Sequence, residues 1–200
     1  MKIKYGKLLY HLTKLSNLDS IIENGLVSRK ILEDKAVTFA DVADHDIMDK
    51  RKRFGLDKYI PFHFHPYSSF DKAVINKYNE EFIYICITRE LARNKNFFIL
   101  SKHPLSIEEV EILDYDEGIN SIDWEAMEKS STESSYIKQV KMAECLTELV
   151  VPVECFTQIA VRNEEIKEEV EEKLKIFGQA KPHVNIQPWL NKSEWRWECD

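Results

Sequence analysis

The chain has 200 residues, of which 44% are hydrophobic and 32% are charged, enough for one globular domain with a full core. Only 5 glycines and 6 prolines argue against a low-complexity or disordered chain. No apolar run approaches the roughly eighteen residues of a membrane span, and none of signal length follows the N-terminus. We therefore expect a cytoplasmic protein with one domain over residues 1–200, in which 190–200 form a flexible or docking tail.

The net charge of −7 hides an uneven distribution. Residues 1–105 carry 18 Lys and Arg against 13 Asp and Glu, whereas residues 106–200 carry 10 against 22. The positive excess is densest at residues 50–53, Lys-Arg-Lys-Arg. A local basic surface binds phosphate even on an acidic molecule, although charge alone fits a solvated helix end equally well. Charge therefore leaves a nucleic-acid partner open.

In chain order, hydrophobic patterns and turn residues predict an α+β domain with a mixed sheet. Ser16 is predicted to cap the first helix and Gly25 to end it in the left-handed conformation, while Asn163 and Gly178 bound the last helix. Three further helices are predicted over 41–54, 122–129 and 136–142. The predicted strands cover residues 8–13, 60–65, 82–88, 97–100, 146–151, 158–161 and 183–187.

His11 and Thr13 lie two residues apart on the first predicted strand. Residues i and i+2 of a strand point to the same side, so both side chains can face one cavity. An imidazole and a hydroxyl in that position can bind ribose hydroxyls or the carboxamide of a dinucleotide. A satisfied core histidine explains the same pattern, and the residues alone leave both interpretations open.

Glu144 introduces a carboxylate immediately before the apolar residues Cys145 and Leu146. A carboxylate is costly to bury unless it has a charged or hydrogen-bonding partner or takes part in function, although glutamates at strand edges are common. His63 and His65 alternate on a predicted strand as two metal ligands could, but no further ligand follows at a matching spacing, so no metal site is predicted. Neither GxGxxG nor GxxxxGK[ST] occurs, which disfavours Rossmann and P-loop nucleotide binding.

Taken in order, several short motifs resemble the DarT family, toxins that ADP-ribosylate nucleic-acid bases with NAD. They cover roughly the first three quarters of the chain. The motifs are Tyr10-His11-Leu12-Thr13 with Asn17, Gly25 and Leu26; Asp49-Lys50-Arg51-Lys52-Arg53; Tyr59-Ile60-Pro61-Phe62-His63-Phe64; Ile122-Asp123-Trp124; and Lys141-Met142-Ala143-Glu144-Cys145-Leu146. The chain departs from the family at 67–70, Tyr-Ser-Ser-Phe, where an Arg-Ser-Pro-Met type of run is common.

The resemblance implies a fold and a set of functional residues. The fold would be an ADP-ribosyltransferase-like split, mixed β-sheet with flanking helices and the dinucleotide between its halves. Arg51 and Glu144 would form the catalytic pair. The NAD-binding residues would be His11, Thr13, Asn17 and Leu26. A single strand that runs beside the basic cluster would contact Lys50 and Arg53 with its phosphates and could stack a base on an aromatic side chain such as Tyr67, so these three are the expected nucleic-acid-binding residues.

The implied activity is mono-ADP-ribosyl transfer from NAD, as co-substrate, to a base of single-stranded DNA. The protein would be the toxin of a toxin–antitoxin or phage-defence module. Its partner would be an antitoxin, either a macrodomain hydrolase or a protein that occludes the cleft. Two alternatives stay open at this stage: the same transfer to RNA, and a catalytically silent module that binds a nucleotide or a protein.

Overall fold

A computed structural model describes residues 2–41, 45–66, 68–103, 110–129, 134–178, 182–187 and 190. Eight strands within this part of the chain form one sheet in the order β5-β4-β6-β2-β1-β3-β7-β8. All neighbours are antiparallel except β7 and β8, which are parallel, so the sheet is mixed. The strands are β1 Leu8–Lys14, β2 Ile60–His63, β3 Phe82–Thr88, β4 Phe98–Leu100, β5 Leu113–Asp114, β6 Glu144–Thr147, β7 Gln158–Val161 and β8 His183–Ile186.

Nine α-helices occur in the described residues and flank the sheet, which confirms the predicted α+β class. They are α1 Leu18–Asn24, α2 Arg29–Asp34, α3 His45–Arg53, α4 Ser69–Lys77, α5 Arg89–Asn94, α6 Tyr115–Ser121, α7 Trp124–Glu128, α8 Ser135–Lys141 and α9 Glu164–Ile176. None of the described helices is long and apolar enough to cross a membrane.

Strand β3 shows why the central strands read as continuous apolar runs. Its odd-numbered residues Ile83, Ile85 and Ile87 join the larger core cluster, whereas Phe82, Tyr84 and Cys86 join a second cluster. Alternate side chains of a strand point to opposite faces, so both faces of the sheet are covered here. Val74 and Ile75 of α4 contribute to the second cluster. The sheet is thus buried on both sides around β1 and β3.

The sheet divides between β1 and β2. Strand β1 pairs with β3 over seven residue pairs, from Leu8↔Thr88 to Lys14↔Phe82. With β2 it shares the single pair Tyr10↔His63. One half of the sheet is therefore β5-β4-β6-β2 and the other is β1-β3-β7-β8, and the junction between them leaves room for a cleft.

Several predicted boundaries are wrong. The first helix follows a 3-10 turn, Leu15–Asn17, and its N-cap residue is Asn17 rather than Ser16. Gly25 has φ 76° and ψ 170°, a positive φ outside the left-handed helical region. The strand predicted at 146–151 begins instead at Glu144 and ends at Thr147. Helix α3 begins at His45, and residues 42–44 of the prediction lie outside the described residues.

Four helices and one strand were not predicted: α2, α4, α5, α6 and β5. Three of these helices carry a side-chain N-cap, from Ser28, Ser68 and Thr88. Ser68 and Asp71 form a reciprocal capping box at the start of α4. These helices span only six to nine residues, too short for a clear 3.6-residue hydrophobic period.

Candidate active site

One cleft at the junction of the two half-sheets is lined by both predicted catalytic residues and all four predicted NAD-binding residues. The six are His11, Thr13, Asn17, Leu26, Arg51 and Glu144. They come from β1, the turn before α1, the segment after α1, helix α3 and strand β6. Side chains up to 133 positions apart in sequence therefore face one hollow.

Arg51 and Glu144 form a buried ion pair in this cleft. The Arg51 Nη1 atom donates to both carboxylate oxygens of Glu144, at 2.9 Å and 3.0 Å. The exposed fraction is 4% for the Glu144 side chain and 16% for Arg51. The other terminal nitrogen, Nη2, is buried and has no hydrogen-bond partner in the described part of the chain. Since an unsatisfied buried donor is costly, the arrangement suits a ligand that supplies an acceptor.

The sheet fixes the backbone of Glu144 on both sides. As the first residue of β6, Glu144 stands opposite His63 of β2 and Leu100 of β4. Directly opposed residues of an antiparallel pair project to the same face, so the His63 side chain lies beside the carboxylate. His63 also lines the cleft. The other member of the ion pair, Arg51, belongs to helix α3.

His11 joins the two half-sheets with its imidazole. Its Nδ1 lies 2.8 Å from the carbonyl oxygen of Pro61 in β2. A carbonyl only accepts, so Nδ1 carries the hydrogen and Nε2 is left as an acceptor. Burial lowers the pKa of His11 to about 4, so the ring is neutral near pH 7. The cleft therefore contains a neutral imidazole rather than a cation at this point.

Asn17 links the end of β1 to the segment at residue 40. Its Nδ2 group donates to Thr13 Oγ1 at 3.2 Å and to the carbonyl of Ala40 at 2.9 Å. Its Oδ1 atom accepts from the Ala40 amide at 2.8 Å. This amide-to-backbone pairing holds the segment at the mouth of the cleft, and it also orients the Thr13 hydroxyl.

Leu26 reaches the cleft through a short backbone bridge. Its amide and carbonyl exchange hydrogen bonds of 2.8 Å and 2.9 Å with Val151. The preceding residue Gly25 has a positive φ, and a Cβ there would lie 2.8 Å from Val150 Cγ1. Glycine is therefore required for the chain to turn into this bridge.

Other residues of the cleft carried no recognisable sequence signal. Arg29 forms a two-pronged ion pair with Asp41 and stacks over the ring of Phe39, with the guanidinium carbon 5.3 Å from the ring centroid. His103 also lines the cleft, and burial lowers its pKa. These contacts join segments that are distant or irregular in sequence, so no periodic pattern marks them.

Two of the predicted nucleic-acid-binding residues, Lys50 and Arg53, do not line this cleft. Lys50 and Arg53 lie at a separate shallow surface with Lys52 and two carboxylates, Asp46 and Asp49. Tyr67 lies outside the described residues. Among the described residues no group of three or more His, Cys, Asp or Glu could hold a metal ion.

The fold is shared with solved structures of DarT proteins. The structure of Thermus sp. 2.9 DarT in complex with ADP-ribosylated ssDNA matches with a TM-score of 0.80 and 23% identity, over 92% of this chain and 95% of that chain. The same protein in complex with NAD+ matches with a TM-score of 0.76 and 20% identity, over 93% and 98%. Thermosipho africanus DarTG in complex with ADP-ribose gives a TM-score of 0.73 and 20% identity, over 92% of this chain and 51% of that one.

The family follows from sequence. The model of the family described as "ssDNA thymidine ADP-ribosyltransferase, DarT" matches residues 10–195. The chain therefore belongs to the DarT family, as the ordered motifs predicted. A comparison with curated protein sequences finds no match.

Proposed function

We propose that this protein transfers ADP-ribose from NAD to the base of thymidine in single-stranded DNA. The observation that carries the proposal is the buried Arg51–Glu144 pair, which shares one cleft with His11, Thr13 and Asn17. Membership of a family of ssDNA thymidine ADP-ribosyltransferases supports the choice of substrate. The likeness to Thermus DarT, whose structures contain NAD+ or ADP-ribosylated ssDNA, is consistent with it.

The donors and acceptors of the cleft suit a dinucleotide. His11 offers an acceptor at Nε2 for an amide or hydroxyl hydrogen, and Thr13 supplies a hydroxyl on the same side that Asn17 orients. Leu26 adds apolar surface. The Nη2 atom of Arg51, which has no hydrogen-bond partner among the described residues, is a donor for a phosphate or ribose oxygen, to which a guanidinium binds well. NAD carries each of these complementary groups.

Glu144 is the group placed to assist the reaction. The bond from the ribose to nicotinamide breaks with its electron pair leaving on nicotinamide, and positive charge builds on the ribose as in glycoside hydrolysis. A carboxylate beside the sugar stabilises that charge. Thymine has one ring N–H, because its other ring nitrogen carries the deoxyribose. When this nitrogen bonds to the ribose its proton must leave, and Glu144 is placed to accept it.

Arg51 holds Glu144 in the position that this role needs. The guanidinium contacts both carboxylate oxygens through one nitrogen, which fixes where the carboxylate lies in the cleft. A guanidinium offers hydrogen-bond donors only, so it does not compete for the thymine proton. Arg51 is thus a catalytic partner rather than a second base.

DNA would approach as a single strand, since a base stacked in a duplex is out of reach unless it is extruded. Lys50 and Arg53 project from the same helix as Arg51 but outside the cleft, where they can bind backbone phosphates. An unstacked base can stack on an aromatic side chain, and Tyr67 is retained in this proposal for that role. We further propose a toxin role inside the cell, opposed by an antitoxin. In support, this chain aligns with about half of Thermosipho DarTG.

The test is transfer of labelled ADP-ribose from NAD to defined oligomers. A single-stranded DNA with one thymidine should be labelled, and its counterpart with cytidine in that position should not. Glu144→Gln keeps the shape of the side chain and removes its charge, so transfer should fall by about 10³-fold. The matched control is Glu172→Gln on the exposed face of α9, which should transfer at the wild-type rate.

Four outcomes would contradict the proposal. Undiminished transfer by Glu144→Gln would remove the carboxylate from the mechanism. Label on an RNA oligomer alone, or on protein alone, would refute the DNA substrate. The fourth outcome is that no nicotinamide is released from NAD when the DNA oligomer is present. The protein would then be a catalytically silent binding module.

A further inference from the structure

We propose that His63 and His65 form a clasp that holds the backbone before Glu144 and thereby positions its carboxylate for the proposed transfer reaction. His63 Nδ1 lies 3.3 Å from the carbonyl oxygen of Ala143. His65 Nε2 lies 3.1 Å from the carbonyl oxygen of Lys141. Both carbonyls belong to the three residues that immediately precede Glu144. His63 is the last residue of β2, and His65 lies in the bend that follows it. The inference rests on the proposed role of Glu144.

The clasp begins where the backbone ladder ends. Strands β2 and β6 pair from Ile60↔Thr147 to His63↔Glu144, and no ladder pair follows. Continuing the same register would bring Pro66 opposite Lys141, but proline has no N–H to donate. The imidazole of His65 supplies a donor to that carbonyl instead. Two side chains thus extend the hydrogen bonding past the point where the backbone can provide it.

The segment needs such donors because it follows the end of helix α8. The last carbonyls of a helix have no partner within the helix. Lys141 is the last residue of α8, and the amides of Met142 and Ala143 turn back to Gln139 and Val140. The carbonyls of Lys141 and Ala143 are therefore acceptors without a donor from the helix, and the two histidines donate to them.

The ring chemistry is consistent with donation. A carbonyl oxygen accepts only, so His63 carries its hydrogen on Nδ1 in this contact. The other nitrogen of His65, Nδ1, lies 2.9 Å from the carbonyl of its neighbour Pro66. Burial lowers the pKa of His65, so near neutral pH its ring has one N–H to give. The carbonyls of Pro66 and Lys141 both accept only, so they compete for this hydrogen. The clasp requires the hydrogen on Nε2, where it serves Lys141, and the contrast between His65→Gln and His65→Asn tests that placement.

A small displacement here changes the chemistry more than the fold. Ala143 is bonded directly to Glu144, and its carbonyl plane sets where β6 begins. Glu144 must meet both Arg51 Nη1 and the reacting ribose, and errors of about 1 Å in such groups cost on the order of 100-fold in rate. Loss of either imidazole should therefore lower kcat. The KM for NAD should change little, since the side of the cleft around His11 is not touched.

Paired amide substitutions test the clasp. Asn places its N–H group where His has Nδ1, and Gln places it near Nε2. His63→Ala and His65→Ala should lower kcat by about 10- to 100-fold. His63→Asn should recover most of the rate and His63→Gln should not, whereas His65→Gln should recover it and His65→Asn should not. Each mismatched amide is the control for its matched one.

Amide hydrogen exchange gives a readout that needs no NAD. The segment 141–147 should exchange faster in both alanine variants and return towards the wild-type rate in the matched amides. Wild-type exchange and wild-type kcat in the alanine variants would overturn the clasp. So would recovery by the mismatched amides, or a loss confined to KM. A wild-type protein that transfers no ADP-ribose would refute the proposed function instead, because the exchange measurement still decides whether the clasp exists.

Discussion

His11 should make the protein lose stability in mild acid. Burial lowers its pKa from the ordinary 6.5 to about 4. The Pro61 carbonyl and Asp71 act in the opposite direction, while His63 and Arg51 add to the lowering. The folded protein thus keeps this ring neutral at a pH where the unfolded chain would protonate it. Because the ring lines the cleft, the same property keeps its Nε2 available as an acceptor.

The sign and size of the effect follow from linkage. Above pH 6.5 the ring is neutral in both states, and below about 4 it is charged in both. Between these values the unfolded chain binds one more proton, so the free energy of unfolding falls as the pH falls, by up to about 1.4 kcal/mol per pH unit. From pH 6.5 to 5 this amounts to about 2 kcal/mol, and the full loss near pH 4 is about 3 kcal/mol.

The measurement is urea unfolding at several pH values between 7.5 and 5, followed by tryptophan fluorescence. His11→Asn is the matched variant, because its amide can still donate to the Pro61 carbonyl but does not titrate. Other histidines titrate in both proteins and cancel in the difference. The wild type should lose about 2 kcal/mol more than His11→Asn over this range. Parallel pH profiles for the two proteins would show that the ring has an ordinary pKa and that the argument from burial is wrong.

Two further substitutions have controls within the same chain. Gly25→Ala combines φ +76° with a Cβ 3.1 Å from the Val151 carbonyl oxygen, so it should lower the free energy of urea unfolding by about 3 kcal/mol. Gly178→Ala has a similar φ of +70° but no described atom within 4 Å of the new Cβ, so it should lower that free energy by about 1 kcal/mol. Equal losses in the two variants would contradict the close approach at Gly25. Asn17→Ala should raise the KM for NAD about tenfold in steady-state kinetics, because it removes the hydrogen bonds that hold the segment at Ala40 beside the cleft. Asn24→Ala loses a hydrogen bond within α1 and should leave the KM unchanged. A similar KM in both variants would refute the role of Asn17.

The parts of the fold that the sequence predicts are those with strong local patterns. Strands β3 and β7 were predicted with their observed bounds, because their apolar runs are flanked by polar residues and turns. Asn163 and Gly178 bound the long helix α9 as expected, with Asn163 accepting from the Ile166 amide. The helices that were missed are short, and only their caps mark them. The capping box formed by Ser68 and Asp71 is such a mark.

The site residues, too, divide into those that a local sequence pattern marks and those that it does not. His11 and Thr13 could be placed on one side of a strand from spacing alone, and the structure puts both in the cleft. Glu144 was conspicuous because a carboxylate entering an apolar strand needs a reason. Arg51 had no such mark among four consecutive basic residues, and only the family resemblance selected it. Its partner is 93 residues away, a distance that no local pattern can bridge.

The Arg51–Glu144 pair also bears on how helix α3 is held, and this decides which substitution tests the chemistry. The apolar residues of α3 in the range 46–53, Ile47 and Met48, are only half-buried, so α3 has little apolar contact to keep it against the sheet. Removing one member of a buried ion pair leaves the other unpaired and is strongly destabilising. Glu144→Ala would therefore combine lost chemistry with a loosened α3, which also carries Lys50 and Arg53. Glu144→Gln retains an acceptor for Arg51 Nη1, and a loss of transfer in that variant can be assigned to the missing charge.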